Sequence, residues 1–104
     1  MKIYLFGFFI ALTTNAYAGF VQENVIFTNK KNPSKTEKKY ISKCESSTFA
    51  AAAYTKQKQS FFSAMQFECK NLDTAVVCMK GNIVLSFNYF DDLKSCDENL
   101  KTIK

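Results

Sequence analysis

The chain predicts an α+β domain: one helix packed on a three- to four-stranded antiparallel β-meander, stapled by two disulfides. Three observations carry this. Residues 46–59 are alanine-rich and helix-forming, and the last third alternates apolar and polar residues around a Gly-Asn turn. Four cysteines also follow a leader of the export type.

The leader opens with Lys2 and an apolar run from Ile3 to Leu12. Thr13, Thr14 and Asn15 end the run, and the small-x-small triplet Ala16-Tyr17-Ala18 follows. This is the pattern of a cleaved Sec-type signal peptide over residues 1–18, cut between Ala18 and Gly19. The apolar run is half the roughly 20 residues needed to span a bilayer. Position 19 is Gly rather than Cys, so no thiol is offered for lipid attachment. Residues 19–104 are expected to form a single small domain, exported to the periplasm or secreted, with no transmembrane segment after cleavage.

That domain has 86 residues. A chain this short buries only about 60–65% of its unfolded surface, so cross-links are the usual remedy. Cys44, Cys69, Cys78 and Cys96 permit three pairings, which spacing alone does not resolve. The favoured one joins Cys44 to Cys96 and Cys69 to Cys78. The first would tie the helix entrance to the tail, and the second would staple neighbouring strands.

Residues 19–28 (GFVQENVIFT) read as a short strand, with Val21, Val25 and Phe27 on one parity and Phe20 and Ile26 on the other. Residues 29–39 (NKKNPSKTEKK) hold no apolar residue and the only Pro, and read as a basic flexible loop. The helix candidate is 46–59, capped by Ser46 or Ser47, with its smooth alanine face against a sheet. Phe61, Phe62 and Met65 also fit helical spacing and would carry it on to Gln66. The competing reading makes residues 61–70 a strand. Ile83, Leu85, Phe87 and Tyr89 share a parity, and Gly81-Asn82 suits a two-residue hairpin turn, which places Cys78 opposite Leu85. A weaker turn at Asn71-Leu72-Asp73 would set Cys69 opposite Val76. Residues 91–104 read as irregular, held by Cys96.

Beyond the leader, thirteen lysines meet nine acids, so the expected domain carries about +4, with no Arg and no His. The basic character lies in its first half. Lys30, Lys31, Lys35, Lys38, Lys39 and Lys43 form a candidate anionic-surface site, for an acidic protein, a lipid surface or lipopolysaccharide phosphates. Without arginine the chain lacks the bidentate group that reads guanine, and nucleic acid is not an expected partner. Eight Phe and three Tyr are rich for the length, and most should be core. Phe62 and Phe90 fall on the off-face parity of their strands and are the candidate partner-binding aromatics.

No catalytic, cofactor or metal residues are assigned. The commonest general base is missing, no C-x-x-C pair is present, and Gly19 and Gly81 alone cannot make a phosphate-cradling loop. Asp91-Asp92 and Asp97-Glu98 lack ligand spacing. A carboxylate- or Ser/Lys-based hydrolase is the remaining enzymatic alternative. The function expected is a small disulfide-bonded binding module that docks to another protein, as an inhibitor or accessory subunit. The alternative is a cationic surface-active protein that meets an anionic envelope or host membrane through its lysine-rich arm.

Overall fold

The computed structural model describes residues 18–103. The expected signal peptide lies outside the described residues but for Ala18. The fold is α+β, with a six-stranded antiparallel sheet rather than three or four strands, and two helices rather than one. The strands are β1 (Gly19–Thr28), β2 (Thr36–Ile41), β3 (Glu45–Ser47), β4 (Glu68–Leu72), β5 (Ala75–Lys80) and β6 (Ile83–Phe90). The helices are α1 (Ala51–Ala64) and α2 (Leu93–Ile103). The sheet order is β2-β1-β6-β5-β4, and β3 also pairs with β1.

β1 lies between β6 on one side and β2 and β3 on the other, and both of its faces are covered, which explains its imperfect alternation. Its odd residues pair with Ile83, Leu85, Phe87 and Tyr89 of β6. Together with Val76, Cys78 and Tyr54 of α1 they build the apolar core. Gly19 fits because a side chain there would run into the Tyr89 hydroxyl and sit 2.7 Å from the Phe90 carbonyl oxygen.

The even residues of β1 face α2, which packs on β1 and β6. Gln22 is fully buried there, and Asn24 is 6% exposed. Their polar groups are satisfied laterally. Gln22 Nε2 donates to Asn24 Oδ1 (2.7 Å) and to the Ser42 carbonyl (3.1 Å). Asn88 Nδ2 donates to Gln22 Oε1 (3.3 Å) and Ser86 Oγ (3.0 Å). No buried side-chain polar atom among the described residues lacks a partner, as burial demands.

β2 and β3 run end to end along one edge of β1. Asn24 opposes Ile41, but Val21 opposes Glu45, so the pairing slips by one residue between them. Lys43 and Cys44 therefore both stand across from Gln22, as a β-bulge. The bulge sets Cys44 on the α2 side of the sheet, where it bonds Cys96 with Cα atoms 6.1 Å apart. The second disulfide joins Cys69 to Cys78.

Several expectations are corrected. The helix begins at Ala51, after Ala50 and with no side-chain cap, because Ser47 is already spent. Ser47 pairs with Gly19 in β3, and its hydroxyl accepts from the Phe49 N–H at 3.1 Å. The inward face of α1 is Ala51, Tyr54, Thr55, Lys58 and Phe62, with Ala52 and Ala53 exposed. The helix consumes residues 61–64, so the strand begins only at Glu68. It stops in a Schellman turn: Phe67 N–H donates to Phe62 O (2.9 Å), Gln66 N–H to Ser63 O (3.0 Å), and Gln66 sits at φ 72°. The Phe62 and Phe67 rings, 5.4 Å apart, close the motif.

The β4–β5 turn centres on Asp73-Thr74, one residue later than read, and Asp73 takes φ 44°. Cys69 therefore opposes Cys78, not Val76. The Gly81-Asn82 turn lies where expected, with Gly81 at φ 60° and Cys78 across from Leu85. The tail is not irregular. Leu93, Cys96, Leu100 and Ile103 recur at helical spacing in α2, and Asp92 Oδ1 caps it by accepting from the Ser95 N–H at 2.7 Å. Those hydrogen bonds from Ser95 hold the Asp92 carboxyl below its ordinary range.

Candidate functional site

The basic segment is an ordered hairpin, not a loop over 29–39. Residues 36–39 belong to β2, and only 29–35 form the turn. A polar strand can form here because β1 supplies the template. Val25 faces Tyr40, Ile26 faces Lys39 and Phe27 faces Lys38, so the lysine stems lie along apolar partners while their heads stay in water.

Asn29 organises the turn. Its Oδ1 accepts from the N–H groups of Lys31 (2.8 Å) and Asn32 (2.9 Å), and its Nδ2 donates to Glu37 Oε1 (2.7 Å). Its own N–H donates to the Lys35 carbonyl at 2.9 Å. The root of the hairpin is tied to the β5–β6 turn. Thr28 N–H donates to the Asn82 carbonyl (2.8 Å), and Asn82 Nδ2 returns a bond to the Thr28 carbonyl (3.1 Å).

Lys30, Lys31, Lys35, Lys38, Lys39 and Lys43 are all exposed. Among the described residues the single ion pair is Lys58 to Glu23, so none of the six is neutralised by a contact. Glu37, the one acid among residues 29–43, is engaged by Asn29. Beside these charges Tyr40 stands 58% exposed, edge-on to Phe27 with centroids 6.2 Å apart. Phe27, Glu37, Lys38, Tyr40 and Asn82 line an open notch of about 430 Å³.

β2 ends the sheet, so its outer edge is unpaired among the described residues. The pairing fixes which groups point outward. Ser42 N–H donates to the Glu23 carbonyl, so Glu23, Val25 and Phe27 turn their backbone groups toward β2. By alternation Lys38 and Tyr40 bond inward, while the backbone N–H and C=O of Lys39 and Ile41 point away from the sheet.

The two nominated aromatics do not form a free patch. Phe62 leaves the assumed strand for α1 and stacks on Phe87 at 5.1 Å, half-buried. Phe90 is half-buried opposite Phe20. The exposed aromatics are Phe49, Phe61 and Tyr40. Phe61 could be found only by treating residues 61–64 as helix, where it falls one position off the inward stripe.

A second polar cluster sits between α1 and the sheet. Tyr54 donates its hydroxyl to Glu23 Oε2 at 2.8 Å, and Lys58 Nζ lies 3.3 Å from the same oxygen. Lys58 also rides 5.2 Å from the Phe87 ring centroid. Burial first, then the bond and charge of Glu23, push the Tyr54 hydroxyl far above its ordinary pKa of 10.0. This cluster pins helix to sheet.

Ala18 N–H donates to the Ser47 carbonyl at 2.7 Å, and Gly19 opens β1. Asp92 serves as the α2 cap, and no group of three His, Cys, Asp or Glu among the described residues is arranged to hold a metal. No described helix is long and apolar enough to cross a membrane. No known protein family, curated protein or solved structure matches the chain.

Proposed function

We propose that the chain is a small exported binding module that docks to an acidic surface of another protein through the β1–β2 hairpin. One observation carries the reading: five lysines within residues 30–39 stand on an ordered hairpin and form no ion pair with any described residue. Unneutralised like charges held close together gain most from an acidic partner. The backbone bonds around Asn29 fix the turn beforehand, which lowers the ordering entropy lost on docking. Tyr40 on Phe27 adds the amphipathic contact area that protein interfaces favour. Two disulfides suit an oxidising address outside the cytoplasm.

An anionic membrane is the second reading, since the same lysines would meet lipid phosphates. The hairpin tip, NKKNPSK over 29–35, has no apolar residue to insert. Its hold on lipid would be electrostatic alone and would fade within moderate salt.

The test compares the exported chain with the Lys38→Glu/Lys39→Glu variant. Each is immobilised and exposed to the exported protein fraction, and separately to vesicles rich in anionic lipid. We expect stoichiometric retention of an acidic protein at about 0.15 M salt, lost in the variant. Retention unaffected by the charge reversal, or salt-sensitive vesicle binding with no protein retained, overturns the docking reading.

A further inference from the structure

We infer that the outer edge of β2 accepts an extended acidic segment of the partner as an added β-strand. This rests on the protein-docking reading and specifies its mode. Three observations converge on the edge. The backbone N–H and C=O groups of Lys39 and Ile41 point away from the sheet, with no partner strand among the described residues. Lys38 and Lys39 flank them on opposite faces, because they oppose Phe27 and Ile26 of β1. The notch between Phe27 and Tyr40 opens beside the same strand.

The charges select the occupant. Two copies of β2 laid edge to edge would set one lysine pair against another, and like charges opposed across strands destabilise pairing. Lysines on an edge strand are a known guard against self-association. That guard works through sign, so it repels this chain's own edge and attracts a strand bearing carboxylates. An incoming acidic strand would place side chains on both faces at once. Those on one side would reach Lys38 and the Tyr40 notch, and those on the other would reach Lys39 and Ile41. The backbone bonds would supply affinity and the lysines would supply selectivity. The opposite edge, β4, carries both Glu68 and Lys70 and is packed by α1, so it offers no such sign preference.

The test uses the disulfide-intact domain, isotopically labelled, and three end-capped seven-residue peptides. The first alternates Glu and Val. The second is the same peptide N-methylated at its three central residues, which keeps the charge and removes the backbone donors. The third carries Gln in place of Glu. Binding and amide hydrogen exchange are measured together. The expected result is that the first peptide binds and slows exchange at Lys39 and Ile41 by roughly tenfold or more. Lys38 and Tyr40, already bonded to β1, should change little. The N-methylated and Gln peptides should each bind at least roughly tenfold more weakly. Equal binding of the first two peptides, with exchange at Lys39 and Ile41 unchanged, overturns strand addition while leaving charge-led docking intact. Failure of all three to bind also overturns strand addition, and the charge-reversal experiment then decides the docking reading on its own.

Discussion

The two disulfides close loops of very different length, and their removal should therefore cost different amounts. Cys44 and Cys96 are 52 residues apart, and Cys69 and Cys78 are nine apart. The chain-entropy relation gives about 4.1 kcal/mol for the first and about 2.6 kcal/mol for the second at 25 °C. The comparison is fair because each pair holds one fully buried cysteine (Cys96, Cys78) and one half-buried cysteine (Cys44, Cys69). The packing lost with the sulfur atoms therefore cancels to first order in Cys44→Ala/Cys96→Ala against Cys69→Ala/Cys78→Ala. A domain of this size has a total stability of only ~4–13 kcal/mol, so the long-loop variant should be close to the edge of folding. The assay is thermal melting followed by far-ultraviolet circular dichroism on both variants and the parent. The Cys44/Cys96 variant should melt roughly 6–12 °C below the Cys69/Cys78 variant. If the short-loop variant melts at the same temperature or lower, loop entropy is not what these bonds contribute.

Three further outcomes follow from single side chains. Gln66→Gly should raise the melting temperature by a few degrees, since the left-handed φ costs a non-glycine residue roughly 1–2 kcal/mol, part of which returns as unfolded-state entropy; a lower melting temperature would count against it. Gln22→Ala should cost about 2–4 kcal/mol in urea titrations, because it strands Asn24 Oδ1 and the Ser42 carbonyl beneath α2; a change under about 0.5 kcal/mol would contradict the buried network. Tyr54 has its folded pKa raised, so its contribution is complete below its ordinary value of 10.0 and is lost as pH climbs above it. Urea titrations from pH 8 to 11 should show that decline in the parent and a shallower one in Tyr54→Phe; parallel curves would exclude Tyr54 as its source.

What was legible in the sequence was local. β1 and the Gly81-Asn82 turn follow from neighbouring residues, through alternation and a glycine's tolerance of positive φ. What was missed depends on distant pairing or on a wrong period. β2 has no apolar signal over 29–39 and exists because Val25 and Phe27 offer partners eleven or more residues away. Phe62 was assigned a face by strand parity, but it lies on α1, where the period is 3.6 and the inward stripe runs from Tyr54 through Lys58. α2 was readable in principle. Leu93, Cys96, Leu100 and Ile103 fit one helical face behind a capping Asp92, and the surrounding charges masked them. The burial of Gln22 and Asn24 has no sequence signal, because amides covered by a second layer leave no mark in a hydropathy pattern.

That second layer has a consequence of its own. α1 rests mainly on apolar side chains of the sheet, with one polar contact at Glu23, whereas α2 lies over a row of amides and hydroxyls already bonded to one another. Were the Cys44–Cys96 tether cut and α2 lifted, the surface uncovered would take up water readily. The sheet would then lose one lid and keep a wettable strip of amides, while prising off the other would expose its greasy side.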